Sequence, residues 1–91
     1  GELIMRTREF TDTLRSMNCE VFTDFMKDSD GNNNRVIFVC KNDQNVVYVG
    51  EQKKWLMKND YLGFNLLTAK EQDEIMKVVQ AYVGTELKDR Q

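Results

Sequence analysis

The polar stretch after residue 27 is the part of this chain that most resembles a metal-binding loop. Asp28, Asp30 and Asn32 fall at the first, third and fifth positions of a calcium loop, and their side chains carry suitable oxygen ligands. The sixth position is Asn33 where such a loop needs glycine, and the twelfth is Val39 where it needs a bidentate glutamate. We therefore predict an Asx-rich hairpin loop, no bound metal and no cofactor, with these three residues as the only metal candidates.

Residues suited to catalysis do not form a working set in this sequence. The chain has no histidine, so the usual near-neutral general base is missing. Cys40 lies in the most apolar run, where burial raises a thiol pKa, and Cys19 sits at a strand edge. Glu71, Asp73 and Glu74 belong to the first turn of a predicted helix, where the helix dipole favours carboxylates. We predict no catalytic residue and no enzymatic activity.

A small basic and aromatic cluster suggests a second chemistry. Lys53, Lys54 and Lys58 surround Trp55, and such a patch can bind single-stranded nucleic acid through charge and stacking. The only obvious ring nearby is Tyr61, and the formal net charge of the chain is −2. We favour a solvated strand edge with Trp55 packed inward, and keep nucleic-acid binding as the alternative function.

Length and composition point to one domain in a reducing compartment. The chain has 91 residues, of which 41% are hydrophobic and 31% charged, which is typical of a globular domain. Two isolated cysteines without CxxC spacing favour free thiols and a cytoplasmic location. No apolar stretch reaches the ~20 residues of a membrane span. We treat residues 1–4 as an appended or upstream segment because Met5 opens the first predicted helix.

Hydrophobic spacing predicts a helix, three strands and a second helix. Phe10, Leu14 and Met17 share one helical face, which predicts a helix over residues 8–17 with Thr7 as N-cap and Asn18 as a left-handed stop. β-rich runs follow over 20–26, 36–40 and 46–49, and polar turns separate them. These runs predict an antiparallel meander with the second strand at its centre.

The C-terminal third contains the best-defined boundary and the least regular segment. Thr68 and Glu71 have the spacing of a capping box, which predicts a helix from there to Gly84, followed by a polar turn that Thr85 caps. Residues 55–67 are apolar without a clean period. The sequence leaves two alternatives open for them. Either they form a short helix and a loop that folds under the sheet and covers its second face, or that face helps to form a binding surface.

The central run, residues 36–40, is apolar at every position, so both faces of the sheet need cover. With Met26 opposite Arg35 and Lys41 opposite Val46, one face is the predicted core: Val21, Thr23, Phe25, Val36, Phe38, Cys40, Val47 and Val49. The other face then collects Glu20, Phe22, Asp24, Met26, Ile37, Val39, Val46 and Tyr48. A register slip of one residue would exchange the two sets.

Three short stretches carry a resemblance to a known group of proteins. They are the residues from Arg6 to Phe10 after Met5, Gly63-Phe64 ahead of Leu67-Thr68, and the segment from Tyr82 to Arg90. In these stretches the chain resembles small uncharacterised phage and prophage proteins of Gram-positive bacteria, although Glu86 stands where a proline is common. The resemblance implies a phage or prophage origin and supplies no catalytic residue.

Together these observations predict an α+β domain with an N-terminal helix, a three-stranded antiparallel meander and one or two C-terminal helices. The predicted function is that of a non-enzymatic phage or prophage accessory protein in the host cytoplasm. It would bind a protein partner or itself, and one form of this function is inhibition of a host or defence factor. The predicted partner-binding residues are Phe22, Ile37, Val39, Tyr48, Trp55 and Tyr61.

Overall fold

The computed structural model describes residues 4–91, so the first three residues of the predicted appended segment lie outside it. The elements are α1 (Thr7–Ser16), β1 (Glu20–Lys27), β2 (Asn33–Lys41), β3 (Gln44–Gly50), β4 (Met57–Lys58), α2 (Leu62–Asn65), α3 (Ala69–Val83) and a 3₁₀ turn (Leu87–Asp89). The strands form one antiparallel sheet in the order β1-β2-β3-β4. The predicted α+β class and meander are confirmed, and β4 is a short fourth strand within the segment that the sequence left unassigned.

Helix α1 begins at Thr7, which is a helical residue and not the predicted cap. The Thr7 hydroxyl instead lies 2.8 Å from the Tyr82 hydroxyl and links α1 to α3. Phe10 and Leu14 are buried on the inner side of the helix, as their spacing predicts. Asn18 follows the helix with φ of 63°, the left-handed conformation expected there.

Helix α3 begins where the capping box predicts. The Glu71 amide donates to the Thr68 hydroxyl oxygen at 3.1 Å, and the Thr68 amide donates to a Glu71 carboxylate oxygen at 3.0 Å. These two bonds satisfy amides that the first helical turn leaves free. The helix ends at Gly84, and its buried side is formed by Ile75, Val79, Tyr82 and Val83.

The pairing register differs by one residue from the predicted one. Met26 lies opposite Asn34, where Arg35 was predicted, and Phe22 therefore lies opposite Phe38. Between β2 and β3 the two-residue turn at Asn42 and Asp43, both at positive φ, pairs Lys41 with Gln44. A β-bulge between Val39 and Cys40 then shifts the register by one residue and places Phe38 opposite Tyr48. Because side chains alternate along a strand, these shifts exchange the two faces of β2 alone, while Val21, Thr23 and Phe25 of β1 and Val47 and Val49 of β3 keep the predicted face.

The face that packs against the helices, here called the helix face, carries aliphatic side chains. Ile37, Val39, Val47 and Val49 have no exposed surface and belong to one cluster with Phe10, Leu14, Ile75, Val79 and Tyr82. The rings of Phe10 and Tyr82 stack at 4.3 Å between α1 and α3. The prediction that Phe38 and Cys40 occupy this face is wrong, because the five-residue loop between β1 and β2 and the bulge between Val39 and Cys40 set the other register.

Arg90 fixes the C-terminal segment to the helix side of the fold. Its guanidinium donates to the carbonyl oxygens of Gly50, Glu51, Val83 and Thr85 at 2.8–3.1 Å. The side chain is 2% exposed and stacks 4.4 Å from the centre of the Tyr82 ring. The predicted polar turn ended at Asp89, so this role of Arg90 was not predicted: it is a buried structural cation with its donors directed at main-chain acceptors.

Candidate partner-binding surface

Four aromatic side chains form a continuous row across the sheet face opposite the helices, here called the open face. Phe22 on β1, Phe38 on β2 and Tyr48 on β3 occupy directly paired positions. Their ring centres are 5.3 Å apart for the first pair and 5.5 Å for the second. Tyr61 extends the row with its ring 6.3 Å from Tyr48 in an edge-on arrangement. We call these four residues the aromatic row.

The aromatic row is only partly covered. Phe22 is 47% exposed, and the other three rings are half-buried. Met26, which follows Phe22 and Asp24 on the same face of β1, is 38% exposed. A cavity of about 130 Å³ opens beside the row, lined by Met26, Lys27, Asp28, Asn34, Val36, Tyr48, Lys53 and Leu56. The open face thus offers apolar surface and a concavity at one place.

Charges of opposite sign lie at the two ends of the row. Glu20 and Asp24 flank Phe22 along the open face of β1. At the other end, Lys58 lies opposite Tyr48 on β4, and Lys53 lines the cavity. The surface is therefore acidic at the β1 edge and carries both signs beyond β3, where Lys58 lies 3.8 Å from Asp60.

The segment after β3 covers only the far side of the open face. Leu56 reaches over Gly50, where an added Cβ would lie 2.8 Å from a Leu56 methyl carbon, and Tyr61 meets the ring of Tyr48. Helix α2 packs on the turn between β2 and β3, since an added Cβ on Gly63 would lie within 2.4 Å of the Asn45 carbonyl oxygen. The predicted short helix is present, but the segment leaves the β1 side of the open face uncovered.

Two of the predicted partner-binding residues lie in the core and not on the surface. Ile37 and Val39 have no exposed surface and pack in the core on the helix face. Their assignment followed from the one-residue register error. The structure brings Phe22, Tyr48 and Tyr61 together, and it adds Phe38, which the incorrect register placed in the core. Aromatic residues at directly paired strand positions were the sequence signal for this row, and it is visible only in the correct register.

Trp55 lies at the end of α3. Its side chain is 66% exposed, so the predicted inward packing is wrong. The backbone is left-handed, with φ of 67°, which is rare for a bulky residue. Its amide donates to the Val83 carbonyl oxygen at 2.9 Å, and its ring edge lies over Gly84, where an added Cβ would be 2.9 Å from the ring.

The three lysines around Trp55 in sequence separate in space. Lys54 donates to a Glu86 carboxylate oxygen at 2.5 Å and also lies 5.5 Å from the centre of the Trp55 ring. The Lys54 bond lowers the pKa of Glu86. Lys58 faces Asp60 at 3.8 Å, near the aromatic row. The predicted nucleic-acid site is thus divided between the end of α3 and the open face.

Asp28 organises the hairpin loop. One of its carboxylate oxygens accepts bonds from the amides of Asp30 and Asn32, both at 2.9 Å, and the other accepts from the Asn34 side chain at 3.0 Å. The bond from Asn34, followed by those from the loop amides, lowers the pKa of Asp28. Within residues 4–91, no three carboxylate, cysteine or histidine side chains are grouped to hold a metal.

The two cysteines are free thiols on opposite faces of the sheet. Cys19 is buried in the core cluster, and Cys40 is half-buried on the open face, where its thiol donates to the Asn45 side-chain oxygen at 2.9 Å. Burial raises the pKa of both thiols. A raised pKa reduces the thiolate fraction at neutral pH, so neither site is activated for nucleophilic attack.

Comparison with known proteins gives no relative. No protein-family model, curated protein or solved structure matches this chain. Among the described residues, no helix combines the length and apolar character that crossing a membrane requires.

Proposed function

We propose that this protein is a non-enzymatic accessory protein of the phage or prophage type that acts in the host cytoplasm by binding another protein. The observation that carries the proposal is the aromatic row on a sheet face that the helices leave open. Aromatic side chains are enriched at the centres of protein interfaces, and large exposed apolar patches commonly mark such sites. The free thiols accord with a reducing compartment.

The aromatic row is ordered before any partner binds. Each ring already contacts its neighbour across the strands, and Tyr61 closes the row at one end. Side chains held in place lose little conformational freedom on binding, so more of the contact energy contributes to affinity. A rigid surface of this kind suits recognition of a folded partner.

Inhibition of a host or defence factor is the specific form of this function that we favour. A net charge of −2 is too small for mimicry of nucleic acid, which needs dense carboxylates. A partner would therefore be blocked by occupation of its surface. The apolar row would provide the contact, with the charged ends fixing its orientation.

Binding of single-stranded nucleic acid is the second candidate. Rings on adjacent strands of an antiparallel sheet can stack bases, and Lys53 and Lys58 lie at one end of the row. The carboxylates of Glu20 and Asp24 at the other end would repel a phosphate backbone. Titration with a labelled oligonucleotide at two salt concentrations separates the candidates, since phosphate binding weakens steeply with salt.

Quantitative capture with matched variants tests the proposed function. Tyr48→Ser and Phe22→Ser remove rings from the row, whereas Leu66→Ser removes an exposed apolar side chain that is not part of the row. We expect the two row variants to lose a captured partner at least about tenfold, and Leu66→Ser to retain it. Equal capture by all three would overturn the proposal, and so would loss only with Leu66→Ser.

A further inference from the structure

The two edge strands of the sheet differ in length. β4 forms one edge with only two residues. β1 forms the other edge with eight residues, nearly all of them exposed, and the chain contains no proline to interrupt it. A long unpaired edge strand is a template for addition of a further strand.

Hydrogen bonds show which groups of β1 face outward. The amide of Asp28 donates to the Asn32 carbonyl oxygen at 2.9 Å, so the main chain at this even-numbered position points toward β2. Arg35 lies opposite Phe25, and its carbonyl oxygen accepts from the Glu51 amide at 3.0 Å, so the main chain of Arg35 points away from β1. Even-numbered residues of β1 therefore bond to β2. The main-chain groups of Val21, Thr23 and Phe25 point away from the sheet.

One outward group is held by a side chain of β1 itself. The Phe25 amide donates to a carboxylate oxygen of Asp24 at 2.7 Å. This bond satisfies the amide while the edge is free. A carbonyl from an added strand would replace it and release the carboxylate, which could then pair with a cation on that strand.

Side-chain chemistry alternates along the free edge. On the open face, β1 presents the carboxylates of Glu20 and Asp24 around Phe22. On the helix face it presents Val21, Thr23 and Phe25, of which Phe25 is 62% exposed. A complementary strand would carry basic residues on the first face and apolar residues on the second.

We propose that β1 binds an extended, basic segment of a partner protein by strand addition, with lysine or arginine beside Glu20 and Asp24 and apolar residues beside Val21 and Phe25. This inference rests on the proposed protein-binding function and names the partner's chemistry. If the added strand runs antiparallel to β1, Glu20 and Asp24 form non-hydrogen-bonded pairs with the residues opposite them. The side chains of such pairs lie close together, so a lysine or arginine there can reach each carboxylate.

A second copy of the chain fits this edge less well. A two-fold axis keeps the same face on the same side of both copies, so even-numbered residues pair with even-numbered ones. The register centred on Asp24 places two Asp24 side chains opposite each other, and the register centred on Phe22 places Glu20 opposite Asp24. In the register centred on Thr23, Asp24 of one copy lies diagonal to Glu20 of the other. Like charges at these positions oppose pairing.

A blocked peptide of alternating lysine and valine, about nine residues long, is the probe. We expect saturable shifts of amide resonances with slowed hydrogen exchange at Val21, Thr23 and Phe25, and at least about tenfold weaker binding of the matched glutamate–valine peptide. The Asp24→Lys variant, which leaves one acidic and one basic group on this face of β1, should abolish this preference. Absence of exchange protection at these amides up to about 1 mM lysine peptide, or equal binding of both peptides, would overturn the inference.

Thr23→Pro and Thr23→Val form the matched pair of variants. Thr23→Pro removes an outward amide that β2 does not use, so the sheet should keep its other exchange-protected amides, while peptide binding is lost. Thr23→Val keeps the amide and should bind. Concentration-dependent dimers that Thr23→Pro abolishes would overturn the inference in favour of self-association. If Tyr48→Ser loses the captured partner and Thr23→Pro retains it, the proposed function stands and the inference about the β1 edge fails. If Thr23→Pro loses the partner and Tyr48→Ser retains it, the partner binds the β1 edge and not the aromatic row.

Discussion

The two faces of the same sheet are both apolar, yet they are built for different tasks. The helix face carries β-branched aliphatic residues such as Ile37 and Val39, which are fully enclosed by α1 and α3. The open face carries rings, of which Phe22 keeps almost half of its surface exposed. Aliphatic side chains fill a core at high density, while the rings of the row support one another and keep part of their apolar surface exposed. Apolar character alone therefore does not show which face of the sheet forms the core.

The largest expected difference between the faces is in stability. Ile37→Ala should lower the free energy of unfolding by about 2–5 kcal/mol because it leaves a cavity in the core. Phe38→Ala should cost less, about 1–2 kcal/mol, since its ring is only partly buried. Urea denaturation of both variants measures the contrast. Equal losses would show that the open face is packed like the core.

Loss of the buried cation should be the next largest effect. Arg90→Met leaves four carbonyl oxygens without their donor and should lower the free energy of unfolding by about 3 kcal/mol. Arg90→Lys keeps the charge but lacks the planar set of donors, so it should recover less than half of the loss. Thermal unfolding of the three proteins gives the comparison. A lysine variant as stable as the native protein would contradict this role.

The contact between α2 and the β2–β3 turn should be moderately sensitive. Gly63→Ala would place a Cβ within 2.4 Å of the Asn45 carbonyl oxygen and should cost about 1–3 kcal/mol as the helix shifts. Gly31→Ala is the matched control, because a Cβ there meets open space and only its left-handed backbone adds a cost of about 1 kcal/mol. Denaturant midpoints of both variants test this order. An unchanged Gly63→Ala protein would mean that α2 does not rest on this turn.

The smallest expected effect is a pH dependence at the start of α3. The amide and hydroxyl of Thr68, together with Lys41, hold the pKa of Glu71 below its ordinary value. The folded state is thus favoured when Glu71 is ionised, and this contribution is lost as pH falls from about 4.3 through the lower folded pKa. Stability of the native protein and of Glu71→Gln, measured from neutral to acid pH, should converge at low pH. Parallel curves would contradict the assignment.

Local sequence signals predicted the elements well. The Thr68 and Glu71 pair located the start of α3, and Asn18 located the end of α1, because each makes its own hydrogen bonds or backbone conformation within a few residues. The turn at Asn42 and Asp43 was also recognised from its residues. Short-range chemistry of this kind does not depend on the rest of the fold.

Register was not predictable from the hydrophobic pattern. Residues 36–40 are apolar on both faces, so a slip of one residue exchanges two acceptable sets. Two features decide the register. The five-residue loop between Lys27 and Asn33 sets the pairing of β1 with β2, and the bulge between Val39 and Cys40 sets the pairing of β2 with β3. The exposed position of Trp55 depends on contacts with Val83 and Gly84, which are far away in sequence.

The most direct test of the open face as the binding surface is a comparison of ring signals by NMR on addition of the captured partner. We predict that the resonances of Phe22, Phe38 and Tyr48 shift or broaden, while those of Phe10 in the core remain unchanged. Perturbation confined to Trp55, or the absence of any change along the aromatic row, would contradict the account.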